Sequence, residues 1–60
     1  MRQWTFEVKE TADDQWMFNL KSGNGEIVAT SERYTRKQSA LKTIKAIRAG
    51  ALFAKVKTRV

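Results

Sequence analysis

Three runs of strictly alternating apolar and polar residues occupy the first half of the chain. In Gln3 to Lys9, Trp4, Phe6 and Val8 fall on one side, with Gln3, Thr5, Glu7 and Lys9 on the other. Gln15 to Lys21 repeats the pattern with Trp16, Phe18 and Leu20, and Glu26 to Thr30 gives a third, shorter run. A period of two sends successive side chains to opposite faces of a strand, so each run predicts a half-buried β-strand. Glu10-Thr11-Ala12-Asp13-Asp14 separates the first two with residues that favour turns. Asn24-Gly25 separates the second and third, and both residues tolerate the positive φ of a two-residue type I′ hairpin. That turn sets Gly23 against Glu26, Ser22 against Ile27 and Leu20 against Ala29. Ile27 and Ala29 then share a side with Trp16, Phe18 and Leu20, so pattern and turn specify one register. The expectation is a three-stranded antiparallel meander with one apolar face.

A helix is predicted next. Thr35-Arg36-Lys37-Gln38 fits a capping box, in which Thr35 accepts from a first-turn N–H while Gln38 reaches back. Ala40, Leu41, Ile44 and Ile47 form one apolar stripe, and Gly50 stands where helices end in the left-handed conformation. Arg48 suits the negative end of the helix dipole, whereas Arg36 and Lys37 oppose the positive end. From Leu52 to Val60 alternation returns, with Leu52, Ala54, Val56, Thr58 and Val60 against Phe53, Lys55, Lys57 and Arg59. This predicts a fourth strand. The fold class is α+β: a β-β-β-α-β unit, with one helix on one face of an antiparallel sheet. Residues 1–60 read as a single domain, without linker, low-complexity stretch or internal repeat.

Composition narrows the function. The 60 residues contain no cysteine, histidine or proline, which removes disulfides and Cys/His zinc sites. No cofactor or metal site is expected. No apolar run is long enough to cross a membrane and no signal-peptide core is seen, so a cytoplasmic protein without membrane partners is expected. A core this small, without staples, leaves self-association as the route to more burial, and a homodimer is expected.

Leu20-Lys21-Ser22-Gly23-Asn24-Gly25-Glu26, Thr30-Ser31-Glu32, and Tyr34-Thr35 with Lys37, Ala40, Ile44 and Ile47 resemble the YegP-like family of small uncharacterised bacterial domains. The resemblance covers about residues 4–48. It implies a β(3)-α-β unit, present either twice in tandem or once in a dimer that shares one sheet by exchange of C-terminal strands. The single unit here is similar to the dimeric kind. The resemblance carries no catalytic, cofactor or small-molecule role. Many members have a glycine and an acid where this chain has Thr43 and Lys45, so the basic helix is not a family trait.

The candidate sites follow from residue chemistry. General acid–base work falls most often to histidine, which is missing, and an enzyme is not expected. Asp13-Asp14 reads as turn chemistry rather than a cation site, and Ser31 and Ser39 have no identifiable base. Gly23-Asn24-Gly25 joins strands and opens no helix, unlike a phosphate loop. Trp4, Phe6, Trp16 and Phe18 share the predicted core face. Phe53, on the side of Lys55, Lys57 and Arg59, either packs in a strand exchange or stacks on a base. Met17 and Val28 are expected on the outward face. The net charge of +6 is uneven: residues 1–32 hold three bases and six acids, whereas 33–60 hold nine bases and no acid. Arg36, Lys42, Lys45 and Arg48 on the helix and Lys55, Lys57 and Arg59 on the tail therefore form a candidate surface for non-specific nucleic-acid binding. The alternative is that these charges serve solubility and protect a strand edge. A non-catalytic structural or interaction module, paired with itself, is the leading expectation.

Overall fold

Each alternating run forms a strand in the computed structural model, which describes residues 2–51 and 54–59. β1 (Thr5–Glu10), β2 (Trp16–Lys21) and β3 (Ile27–Thr30) form an antiparallel sheet in the order β1-β2-β3, followed by α1 (Lys37–Gly50). Phe6 pairs with Leu20 and Val8 with Phe18, so the apolar residues of β1 and β2 meet on one face. Phe18 is the centre of that face at 5% exposure. The Phe6 ring meets it edge-on at 5.7 Å, and the Tyr34 ring lies parallel to it at 6.4 Å. α1 packs over β1 and β2 through Ala40, which is fully buried, with Ile44 and Ile47 half-buried beside it. β3 lies outside this cover, and all four of its residues are exposed.

The hairpin is built differently from the two-residue turn expected. Gly25 alone takes a positive φ, of 88°, and its N–H donates to the Ser22 carbonyl at 2.9 Å. Ser22 then pairs with Glu26, which leaves a three-residue loop closed by a left-handed glycine. The longer loop shifts the pairing by one residue. Lys21 consequently faces Ile27, and a bulge restores Leu20 opposite Ala29. Ile27 therefore leaves the core face and stands on the outer side with Lys21, 56% exposed. The Leu20–Ala29 pair is as expected; the Ser22–Ile27 pair is not. Gly23 has its own constraint, because a Cβ there would meet the Arg2 backbone oxygen at 3.0 Å and the Arg2 side chain closer still.

Both ends of α1 depart from the sequence reading. Arg36 is the N-cap, in extended conformation, and no side chain caps the first turn, so the Thr35–Gln38 box is not formed. Gly50 stays helical and the chain remains right-handed through Ala51, whose N–H donates to the Ile47 carbonyl. The Ala54 N–H donates to the Ala51 carbonyl at 3.1 Å. The predicted fourth strand is absent over residues 54–59, which are exposed and unpaired, with Val56 93% exposed. Alternation makes a segment able to pair, but a strand exists only where an edge accepts its N–H and C=O groups. Leu52, Phe53 and Val60 lie outside the described residues, and with them both readings of Phe53.

The chain exposes 5476 Å², whereas a compact protein of 6.9 kDa exposes about 4,000 Å². Its radius of gyration, 12.9 Å, likewise exceeds the roughly 10 Å of a compact chain this long. All four residues of β3 and residues 54–59 are among the exposed ones.

Candidate functional site

The segment that leads from β3 to the helix is fixed by hydrogen bonds rather than by burial. The Ser31 N–H donates to the Phe18 carbonyl at 2.9 Å, and the Phe18 N–H donates to Ser31 Oγ at 2.8 Å. Ser31 Oγ in turn donates to the Glu32 carbonyl at 2.7 Å. Beyond it, Trp16 and Tyr34 exchange both backbone hydrogen bonds at 2.7 Å. Ser31 is thus a backbone substitute in the ladder, with its hydroxyl engaged as donor and acceptor. This gives the Thr30-Ser31-Glu32 and Tyr34 positions a structural role.

The acidic loop is engaged in the same way. Thr11 closes it through its N–H to the Gln15 carbonyl at 2.7 Å, and Asp14 takes a φ of 62°. Asp13 accepts from the Thr11 hydroxyl and pairs with Arg33 at 2.8 Å. The Thr11 hydrogen bond, with smaller help from Arg33, holds the Asp13 carboxyl below its ordinary range. Among the described residues no group of three or more potential ligands could hold a metal ion. On the outer sheet face, Glu7 lies 3.1 Å from Lys9 Nζ and 3.3 Å from Lys21 Nζ, and the two ammonium groups, Lys9 first, lower its pKa.

The candidate basic residues divide between the helix and the tail. Arg36 caps the start of α1, exposed; Lys42 and Lys45 lie on the exposed side of the helix; Arg48 sits in its last turn. Lys55, Lys57 and Arg59 are exposed on the unpaired tail, so no strand aligns them on one face. The ion pairs among the described residues use Lys9, Lys21 and Arg33, and none uses a base of the helix or tail. Lys37, whose charge opposes the positive end of the helix dipole, places its ammonium 5.5 Å from the centre of the Trp16 ring. A cation over an indole face is electrostatically favourable, which offsets that opposition.

One cavity was not legible in the sequence. Gln3, Trp4, Thr5 and Phe6 on one side and Ile44 and Arg48 on the other line an open cleft of about 600 Å³ between β1 and α1. Trp4, expected in the core with the other three rings, is 55% exposed here. It precedes β1, and of α1 only Ile44 and Arg48 reach the cleft beside it. The alternation assigned the correct face but could not say how far the cover extends.

Comparison with known proteins places these features in a family. The model of the domain of unknown function DUF1508 matches residues 11–57. The chain belongs to this family. Among curated relatives, the UPF0339 protein YegP of Escherichia coli (strain K12) is 47% identical over 51 residues, covering 85% of this chain and 46% of the relative. The UPF0339 protein PA0329 of Pseudomonas aeruginosa is 49% identical over 43 residues, which are 72% of this chain and 39% of the relative. This chain therefore spans about half the length of the curated relatives it matches or less. A solved structure, the NMR solution structure of the protein from Haloferax volcanii, superposes with a TM-score of 0.83 at 33% identity. That match covers 98% of this chain and 100% of the other. Among the described residues no helix is long and apolar enough to cross a membrane.

Proposed function

We propose that this DUF1508 chain is a non-catalytic interaction module that works as a homodimer, its C-terminal segment pairing with a free sheet edge of a second copy. The excess exposed surface carries this reading. It amounts to about 1,500 Å² per chain, above the roughly 800 Å² that each partner buries in a standard interface. Its location supports the same reading. β3 offers an unpaired edge with Ile27 and Val28 more than half exposed, and residues 54–59 carry an alternating pattern with no edge to join. Exchange of that segment satisfies both at once, and two-fold closure is the commonest way to do so. The engagement of Ser31 and Asp13 in the scaffold supports a role without catalysis. In size-exclusion chromatography with light scattering, the expected mass is twice 6.9 kDa at micromolar concentration. Ile27→Lys with Val28→Lys should shift it to the single-chain mass while far-UV circular dichroism persists. A wild-type mass of one chain at that concentration rejects the dimer.

A second reading has its own observation: the exposed bases of α1 and the tail have no acidic partner among the described ion pairs. Uncompensated cations on one chain favour phosphate contacts, so non-specific nucleic-acid binding through Arg36, Lys42, Lys45, Arg48, Lys55, Lys57 and Arg59 is proposed as a further activity of the module. Fluorescence anisotropy with labelled oligonucleotides should show affinity that falls with added salt and falls again in Lys42/Lys45/Arg48→Ala. No binding at low salt rejects it.

A further inference from the structure

We propose that the cleft between β1 and the end of α1 is a nucleotide site, in which the Trp4 indole stacks on a base and the Arg48 guanidinium takes the attached phosphate. Three independent features meet there. The cleft, at about 600 Å³, lies within the range of small-ligand pockets. Its apolar wall is aromatic: Trp4 presents an indole more than half open, with Phe6 and Ile44 beside it. Every base has a π-face, so an accessible indole accepts any of them. Its charge is positive, because Arg48 lines the cleft and enters no ion pair among the described residues. A guanidinium presents a planar fork of donors suited to phosphate oxygens. The helix C-terminus opposes an anion, but with only about half a unit charge against the full charge of Arg48. Gln3, also in the lining, supplies an amide with both donor and acceptor capacity at the mouth.

The chemistry also explains a contradiction in composition. A tryptophan in a strict alternation belongs in the core, yet here it faces a cation and open space rather than aliphatic side chains alone. A stacked base with a neighbouring phosphate complements both groups. The proposal deepens the phosphate-binding reading and rests on it for strands of nucleic acid, whereas a free nucleotide tests the cleft alone.

The test uses Trp4 as its own reporter in the full chain carrying Trp16→Phe, with the wild type and Trp4→Phe as controls. Adenosine monophosphate, single-stranded oligodeoxyadenylate and a duplex of equal length are titrated separately. Quenching of Trp4 by the single strand, and by the mononucleotide at higher concentration, is the expected result. Duplex, whose bases are already stacked, should leave Trp4 emission unchanged. Trp4→Ala and Arg48→Ala should each weaken single-strand binding about tenfold, with circular dichroism preserved. Lys42→Ala, away from the cleft, should change it less than either. Quenching by the mononucleotide alone marks a free-nucleotide site, and quenching by the oligonucleotide alone marks a strand site; either supports the proposal. Oligonucleotide binding that Trp4→Ala leaves intact overturns the cleft while the charged surface stands. Absence of quenching by both ligands overturns it as well. So does a blue-shifted Trp4 emission that red-shifts only when the dimer is diluted apart, which assigns the cleft to a second copy.

Discussion

Phe18 and Ile27 are both large apolar residues in adjacent strands of one sheet, yet one is sealed and the other is open to solvent. The difference divides the molecule. The β1–β2–α1 region holds the buried residues Phe18, Asn19 and Ala40, with Phe6, Ile44 and Ile47 half-buried and the Tyr34 ring stacked against Phe18. The region of β3 and the tail buries almost nothing, although β3 itself follows a defined path set by Ser31, Tyr34 and the Gly25 turn. Hydrogen bonds therefore specify where β3 goes, and the hydrophobic effect stabilises the β1–β2–α1 region. A backbone hydrogen bond contributes about 1 kcal/mol net, whereas burying one large apolar side chain contributes roughly 1.5–3 kcal/mol. An ordered but unburied strand is a surface whose stabilisation is left to a partner.

Three substitutions probe the division, in descending order of effect. Phe18→Ala should remove about 3–5 kcal/mol of unfolding free energy in urea titrations followed by circular dichroism. For a chain of this size, with roughly 3–9 kcal/mol in total, that leaves little fold. A loss near 1 kcal/mol would mean that the two regions share the load and the division is false. Ser31→Ala should cost about 1–3 kcal/mol, because the half-buried Phe18 N–H loses its acceptor. Ser31→Thr, which keeps the hydroxyl, should recover most of it. An alanine variant as stable as wild type would show that water replaces the hydroxyl and that the β3 exit is not fixed by this bond.

The smallest effect is electrostatic and sits on the outer sheet face. Lys9 and Lys21 hold the Glu7 carboxyl below its unfolded-state pKa. A depressed carboxylate stabilises the fold above its unfolded-state pKa, and that contribution disappears as pH falls through the folded-state value. Thermal midpoints should therefore be level near neutrality and decline below about pH 4. Glu7→Gln should flatten the decline slightly, since these groups are partly exposed and water screens them. An equal slope in both proteins would assign the acid sensitivity to Asp13 and Arg33, at the other loop.

Much of this was legible in the residues. The alternation of Trp4 to Val8 and of Trp16 to Leu20 specified two strands and their shared face, and the stripe through Ala40, Ile44 and Ile47 specified the helix and its buried side. The hairpin was only partly legible: Asn24-Gly25 marks a turn, but the choice between two and three loop residues depends on φ at Asn24. That choice moved Ile27 to the other face. Thr35 and Gln38 have the composition of a cap, yet the chain enters the helix one residue later and leaves them unused. The candidate cleft was hidden for a different reason, since its lining joins residues 3–6 to residues 44 and 48, a proximity that periodicity does not encode.

The chain's own pattern determined which elements form, which faces are apolar and where positive charge accumulates, because those follow from local periodicity and composition. Tertiary structure alone decided how much of each apolar face is covered: one helix of limited length packs on two strands, and leaves β3 uncovered and residues 54–59 unpaired. Local sequence sets the capacity of a side chain for burial, whereas burial itself depends on what the rest of the chain has left to place over it.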